Sequence, residues 1–187
     1  MSIDSLKDRI PDFAKDVRLN LTSMMSDESL AAQTKYGLLL ACAITTRNPT
    51  VRATMEALAA EHLTPAALSA AKSAAAIMAM NNIYYRFQHM MGAGSAYAQF
   101  PARLRMQIIG RPGVDHVDFE LWCLAASVIT GCENSVRAHE NTVRERGGTE
   151  EQVQDAVRIA AVVHAVALTL DSTPALPPVP TALPVAS

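Results

Sequence analysis

Apolar residues recur along this chain at helical spacing, and runs that alternate apolar and polar residues are missing, so the pattern predicts helices and no strand. Residues 3–25 have the pattern of one or two short amphipathic helices, with a start or break at Pro11. Ser26-Asp27 fits an N-cap for a long apolar helix over Leu30–Thr46. Further helices are predicted over 51–61, 65–87, 102–109, 117–130, 132–146 and 149–170.

The boundaries of these segments carry local signals for helix starts and stops. Thr64-Pro65 places a capping threonine before a proline at the first helical position. Gly131 breaks the apolar segment that precedes Cys132, and Thr149 opens a sequence of capping-box form. From Thr173 onward, five of the ten prolines fall within fifteen residues. We therefore expect one all-α domain over 1–172 and a Pro-rich tail over 173–187 that is extended or disordered.

Two segments, 35–80 and 120–165, align without a gap at an offset of 85 residues and share eleven identities over 46 positions. This similarity predicts a helical bundle of two similar halves produced by internal duplication. We expect the first half to be structural and the second to carry the chemistry, because the polar residues differ at four corresponding positions: Lys35 against Glu120, Arg47 against Cys132, Thr50 against Ser135, and Thr54 against His139.

Composition and charge exclude several classes of protein. The net charge is −2 and the basic residues are scattered, so we expect no nucleic-acid surface. The first residues lack the apolar core of a signal peptide, and Arg158 and His164 interrupt the most apolar segment, so we expect no membrane span. Three cysteines do not make a secreted disulfide framework. These features predict a cytoplasmic protein.

The candidate chemistry lies around Cys132, which follows Gly131 at a predicted helix start. Ser135 and His139 follow three and seven residues later, a spacing that places the thiol, the hydroxyl and the imidazole along one helix face. A thiol at a helix start lies near unpaired N–H groups, which favour its anion. Glu120 lies in an otherwise apolar helix, needs a partner there, and is suited to orient His139. We expect a thiol redox site in which an oxygen replaces one of two sulfurs.

Other chemistries are less well supported by the pattern. Cys132, His139 and Glu120 could supply three metal ligands, but no second Cys or His pair at zinc spacing accompanies them, and we expect no metal. Ser135 could act as a nucleophile with His139 as its base, but the nucleophile-elbow motif of hydrolases is missing. Cys42 and Cys123 lie within apolar helices and are expected to be inert.

A glutamate followed by Cys-x-x-Cys-x-x-x-His on an Ala-rich helical chain is the pattern of the alkylhydroperoxidase D family, which this chain resembles over nearly its whole length. Four further segments carry the resemblance: Tyr36–Asn48, Ala74–Tyr85, Leu104–Gly113 and Phe119–Trp122. The resemblance implies the all-α fold shared with carboxymuconolactone decarboxylases, assembled as a homo-oligomer, with a trimer expected.

The resemblance also implies an activity and roles for the site residues. The family's members are antioxidant peroxidases that reduce organic peroxides and the oxidised peroxiredoxin alkyl hydroperoxide reductase C. They bind no cofactor and take electrons from dihydrolipoamide on a lipoyl-bearing 2-oxoacid dehydrogenase component. Carried over to this chain, Cys132 is the resolving thiol, Glu120 and His139 are the proton relay, and Ser135 occupies the attacking position.

Two residues depart from the family pattern. Ser135 can neither act as a sulfur nucleophile nor form a disulfide with Cys132, so we expect near-zero turnover. We favour an engineered Cys-to-Ser change over a natural loss, because Glu120, Cys132 and His139 are intact. Asn134 stands where some members carry a further histidine of the relay.

Two alternative functions remain open at this point. One is a decarboxylase or isomerase of a ring lactone that uses His139 and Glu120 as acid and base, for which Ser135 would be native. The other is a non-catalytic helical interaction protein, in which Cys132 would be an ordinary thiol.

Overall fold

The computed structural model describes residues 2–173, and most of the predicted tail lies outside them. Within the described residues the chain forms nine α-helices and no strand, which confirms the all-α prediction. Their bounds are α1 Ile3–Asp8, α2 Lys15–Ser26, α3 Ala32–Thr46, α4 Pro49–His62, α5 Pro65–Met91, α6 Gln107–Gly110, α7 His116–Thr130, α8 Glu133–Glu145 and α9 Glu150–Asp171.

Helices α3 and α7 form the centre of the bundle. They pack against each other, and both contact α5 and α9. Leu38–Ala43 of α3 and Phe119–Ser127 of α7 are continuously buried, as expected for helices that are covered on all sides. Helix α8 is different, because its buried positions Ser135, His139 and Val143 recur every four residues and form one inward face.

The predicted caps at Thr64 and Thr149 are present. Thr64 Oγ1 accepts a hydrogen bond from the backbone N–H of Ala67, and Thr149 forms a full capping box with Gln152. The predicted start of α3 at Ser26-Asp27 is wrong. Ser26 is the last residue of α2, and the Asp27 carboxylate accepts a hydrogen bond from the Ser29 N–H instead of capping a helix.

Several helix ends also differ from the prediction. Helix α5 continues past residue 87 to Met91, and the helix predicted over 102–109 is limited to the four residues of α6. Helices α3, α4 and α5 begin 84, 84 and 85 residues before α7, α8 and α9. The two aligned segments therefore have the same order of helices at nearly the same spacing.

Helix α9 contains the apolar segment that Arg158 and His164 interrupt in the sequence. By length and composition it could cross a membrane, because an 18-residue window has a mean hydropathy of 1.5. In the structure, 44% of that window is buried, and the helix packs on α3 and α7. Those contacts are typical of the core helix of a folded domain.

The contact between α3 and α7 depends on Gly37. A Cβ atom at this position would lie 2.2 Å from Cε2 and Cζ2 of Trp122. The Trp122 ring is fully buried, and its Nε1–H donates to the Thr34 carbonyl at 3.0 Å, so it has little room to move. The absence of a side chain at residue 37 therefore sets the distance between the two central helices.

We expect Gly37→Ala to lower the free energy of unfolding by about 1–3 kcal/mol, because overpacking outweighs the gain in helix propensity. Urea denaturation measures this change. Gly94→Ala is the matched control, because nothing lies within 4 Å of a Cβ atom at that position. Equal stability of Gly37→Ala and the unsubstituted protein would contradict the role given to this contact.

Candidate active site

The turn between α7 and α8 positions Cys132. Gly131 adopts the left-handed conformation, with φ 67°, and its N–H donates to the Val128 carbonyl. The next N–H, that of Cys132, donates to the Ser127 carbonyl at 3.1 Å, which completes a Schellman motif. The motif ends α7 and leaves Cys132 at the N-cap of α8, as the sequence predicted for the break at Gly131.

Glu120 and His139 form a buried pair between α7 and α8. Glu120 Oε2 lies 2.6 Å from His139 Nδ1, and the side chains are 4% and 10% exposed. An ionised carboxylate can only accept a hydrogen bond, so it holds the ring proton on Nδ1. Nε2 is then the nitrogen that can exchange a proton during chemistry. The partner expected for Glu120 is therefore present.

Met78 of α5 covers the other side of the His139 ring. Its Sδ atom lies 3.1 Å from Nε2 and 3.4 Å from the Ser127 hydroxyl oxygen. A thioether sulfur is a weak acceptor, so it can receive an Nε2–H hydrogen bond when the ring carries both protons. Met78 thus lies at the Nε2 edge of the imidazole and is itself only 1% exposed.

Cys132 and Ser135 lie in contact at the start of α8. The Cys132 thiol donates to Ser135 Oγ at 3.2 Å, and the two residues are 0% and 7% exposed. One helical turn further, His139 lies on the same inward face. The structure therefore brings the four predicted residues, Glu120, Cys132, Ser135 and His139, to one place between α7 and α8.

A cleft opens beside this group, between α5, α6 and α8. Its volume is about 650 Å³, including the open space at its mouth. Ser135 and His139 line it, whereas the fully buried Cys132 lies behind Ser135. The other lining residues are two asparagines, a tyrosine and three apolar residues: Asn81, Asn134, Tyr85, Met106, Ile109 and Ala138.

The other two cysteines, Cys42 and Cys123, are fully buried within α3 and α7. Burial raises the pKa of the Cys42 thiol to about 12. Burial and the nearby Glu120 carboxylate hold the pKa of Cys123 well above its usual value. Within residues 2–173, no group of three or more His, Cys, Asp or Glu side chains is arranged to hold a metal ion.

Comparisons with known proteins place the chain in a family. The sequence profile described as "Carboxymuconolactone decarboxylase family" matches residues 95–176, which include the four site residues. The "Alkyl hydroperoxide reductase AhpD" of Bradyrhizobium sp. (strain BTAi1) is 59% identical over 172 residues, which cover 92% of this chain and 94% of that protein.

Proteins of the same name show that this similarity is not limited to one organism. Those of Methylocella silvestris and Brucella anthropi are 56% and 54% identical over 92% of this chain, and 96% and 98% of their own lengths are covered. The chain belongs to the alkylhydroperoxidase D family. The family resemblance inferred from the sequence is thereby confirmed.

The residues that α5 and α6 bring to this site cannot be singled out from the sequence. Met78 and Asn81 lie within one segment that resembles the family, and Met106 and Ile109 lie within another. A helical face of Met78, Asn81 and Tyr85, spaced at three and four residues, was the available signal. The packing partner of that face cannot be known from spacing alone.

We expect iodoacetamide to modify Cys132 before Cys42 or Cys123 in the native protein at mildly alkaline pH. Raised pKa values leave almost no thiolate at Cys42 and Cys123, whereas Cys132 contacts Ser135, a residue that lines the cleft. Peptide mass spectrometry over time measures the order of labelling. In urea all three should react alike. Earlier labelling of Cys42 or Cys123 would show that Cys132 is not the accessible thiol.

Proposed function

We propose that this chain has the scaffold of a thiol-dependent alkyl hydroperoxide reductase, and that Ser135 stands where the active form has a cysteine. The observation that carries the proposal is the 3.2 Å separation of Cys132 Sγ and Ser135 Oγ beside the buried Glu120–His139 pair. The names of the relatives support the same activity. The Ser135 chain lacks the attacking thiol and is expected to be inactive.

The proposed reaction begins at residue 135 of the Ser135→Cys form. His139 Nε2 takes the thiol proton, and Glu120 stabilises the resulting imidazolium through Nδ1. The thiolate then attacks the terminal oxygen of the hydroperoxide, so that an S–O bond forms and the O–O bond breaks. The alkoxide takes the proton back and leaves as an alcohol. Sulfur is oxidised to a sulfenic acid, and the peroxide is reduced.

Cys132 completes the cycle as the resolving thiol. Its sulfur attacks the sulfenic sulfur, water leaves, and a disulfide forms between residues 132 and 135. The contact at 3.2 Å supports this step, because a small movement brings two sulfurs at these positions to bonding distance. In the Ser135 chain, the three cysteines of the described residues are free.

The electron source and the protein partners are part of the proposal. Dihydrolipoamide, carried by a lipoyl-bearing 2-oxoacid dehydrogenase component, reduces the disulfide, and an alkyl hydroperoxide reductase C-type peroxiredoxin is a second substrate. Family resemblance supports both, and we propose that the protein meets these partners in the cytoplasm. No bound cofactor is needed, because each step uses thiols and the Glu120–His139 relay.

We also propose that the protein is a homo-oligomer, with a trimer expected from the family resemblance. An apolar patch on α5 and the segment that follows it supports assembly, because such a surface is costly to leave in water. Its members, all at least 45% exposed, are Ile83, Phe87, Met90, Met91, Tyr97 and Phe100.

A second candidate is the decarboxylase or isomerase activity on a ring lactone. The profile match to the carboxymuconolactone decarboxylase family and the Glu120–His139 acid/base pair favour it. Such a reaction needs no thiol, so it should survive Cys132→Ala, whereas the hydroperoxide reductase cycle should not.

We expect Ser135→Cys to gain dihydrolipoamide-dependent reduction of cumene hydroperoxide, while the Ser135 chain shows none. The physical reason is that a hydroxyl at residue 135 neither ionises near neutral pH nor forms a disulfide. Loss of the hydroperoxide or of the reductant over time measures turnover. The double variant Ser135→Cys/Cys132→Ala is the control and should not cycle. If Ser135→Cys is also inactive, the thiol redox function is wrong.

In the Ser135→Cys background, we expect Glu120→Gln to lower kcat by about 10²–10⁴-fold, because the imidazolium loses its stabilising carboxylate. Steady-state kinetics measures the loss. Glu140→Gln is the matched control, since Glu140 follows His139 in α8 but is partly exposed. Equal activity of the two variants would show that Glu120 is not part of the proton relay.

A further inference from the structure

The Asn81 side chain is a buried amide with an unused hydrogen-bonding atom in the wall of the site cleft. Asn81 is 4% exposed, and its Oδ1 has no hydrogen-bond partner among residues 2–173. Two other buried side-chain atoms share this property, Ser95 Oγ and His116 Nδ1, but neither residue lines this cleft. A buried acceptor without a partner lowers the stability of the fold. A ligand bound in the cleft would remove that cost by supplying the missing hydrogen bond.

The neighbouring Asn82 shows what a purely structural amide does in this helix. Its Nδ2 donates to Thr130 Oγ1 at 2.8 Å, and its Oδ1 accepts from the Ser127 hydroxyl at 3.2 Å. Both groups of this amide are satisfied by α7. Asn82 therefore joins two helices, whereas Asn81 faces α8 and the cleft without such a function.

The register of α5 against α8 places Asn81 at the level of residue 135. The two helices run antiparallel, because Met78 contacts His139 while His89 lies 3.6 Å from Glu133. Asn81 is three residues beyond Met78, an advance of about 4.5 Å along the axis toward the start of α8. Asn81 and Ser135 consequently line the same part of the cleft.

The –OOH group of a hydroperoxide can supply the hydrogen bond that Asn81 Oδ1 lacks. The –OOH group carries one O–H donor on its terminal oxygen and an acceptor on the inner oxygen, and a carboxamide offers the complementary acceptor and donor. The apolar side chains around it, Tyr85, Met106 and Ile109, suit an alkyl or aryl group.

We propose that the Asn81 amide binds the –OOH group of an organic hydroperoxide, with Oδ1 accepting the O–H hydrogen and Nδ2 donating to the inner oxygen. This inference rests on the proposed function, for which Asn81 is the residue that recognises the substrate. The bound head presents its terminal oxygen to residue 135. After attack, that oxygen becomes the sulfenic O–H and keeps its hydrogen bond to Oδ1, while the inner oxygen leaves in the alcohol.

Equilibrium binding to the Ser135 chain tests the proposal without turnover. Cumene hydroperoxide is the probe, and cumyl methyl ether is the matched ligand in which a methyl group replaces the terminal O–H. NMR titration gives both dissociation constants. We expect Asn81→Leu to weaken hydroperoxide binding by about fivefold to tenfold, the effect of losing a hydrogen bond, and to weaken ether binding less, because the ether keeps only the inner oxygen that accepts from Nδ2.

Asn82→Leu is the matched control. It should lower the melting temperature, because it removes two internal hydrogen bonds, but it should keep the ratio of the two dissociation constants. Asn81→Leu should melt at or above the temperature of the unsubstituted chain, because it removes an unpaired buried acceptor. Asn81→Ala is a second variant that adds no bulk to the cleft.

Three results would overturn the role of Asn81: equal weakening of both ligands, no change for either, or no hydroperoxide binding by the Ser135 chain. The proposed function is tested separately by turnover of Ser135→Cys. In that background, Asn81→Leu should raise KM for cumene hydroperoxide about fivefold with a smaller change in kcat. If Ser135→Cys is active and Asn81→Leu does not change its KM, the role of Asn81 is wrong and the proposed function still holds.

Discussion

The buried hydrogen bond between Glu120 and His139 is the interaction on which the rest of the site depends. A carboxylate inside the fully covered α7 is costly unless a partner satisfies it, and His139 Nδ1 does so at 2.6 Å. That partner lies on α8, so the pair can form only if the chain turns back directly after α7. The left-handed Gly131 permits that turn, and the same turn places Cys132 at the start of α8. One electrostatic requirement thereby fixes the positions of the carboxylate, the imidazole and the thiol.

Each of the two aligned halves buries a charged residue at the corresponding position, but the two charges have different partners. Lys35, which corresponds to Glu120, is buried near the start of α3, and its Nζ donates to the carbonyls of Met25 and Asp27 at 2.7 and 2.6 Å. Desolvation lowers the pKa of Lys35, and these carbonyls supply the hydrogen bonds that keep it inside. In the first half the buried charge therefore joins α3 to the end of α2. In the second half it orients the His139 imidazole.

Predictions from the sequence succeeded where the determining contacts are local. The caps at Thr64 and Thr149 and the break at Gly131 depend on neighbours within a few residues, and each is present. The prediction at Asp27 failed because its carboxylate accepts a hydrogen bond from the Ser29 N–H in a turn. Such a turn competes with capping of a helix. The cleft could not be predicted, since Met78 meets His139 across 61 residues of chain. Only the register of α5 on α8 decides that contact.

Ser135, which we propose stands where the active form has a cysteine, is well accommodated by this packing. Ser135 Oγ accepts the Cys132 thiol proton and remains on the inward face of α8, so the Glu120–His139 pair and the cleft wall keep their partners. In the proposed function, the cleft recognises the substrate, whereas the redox cycle needs a second sulfur at residue 135. Because different atoms would carry these two functions, the proposal implies that a chain with Ser135 binds hydroperoxide without turning it over. Under this proposal, a stable and correctly folded chain is not evidence of activity.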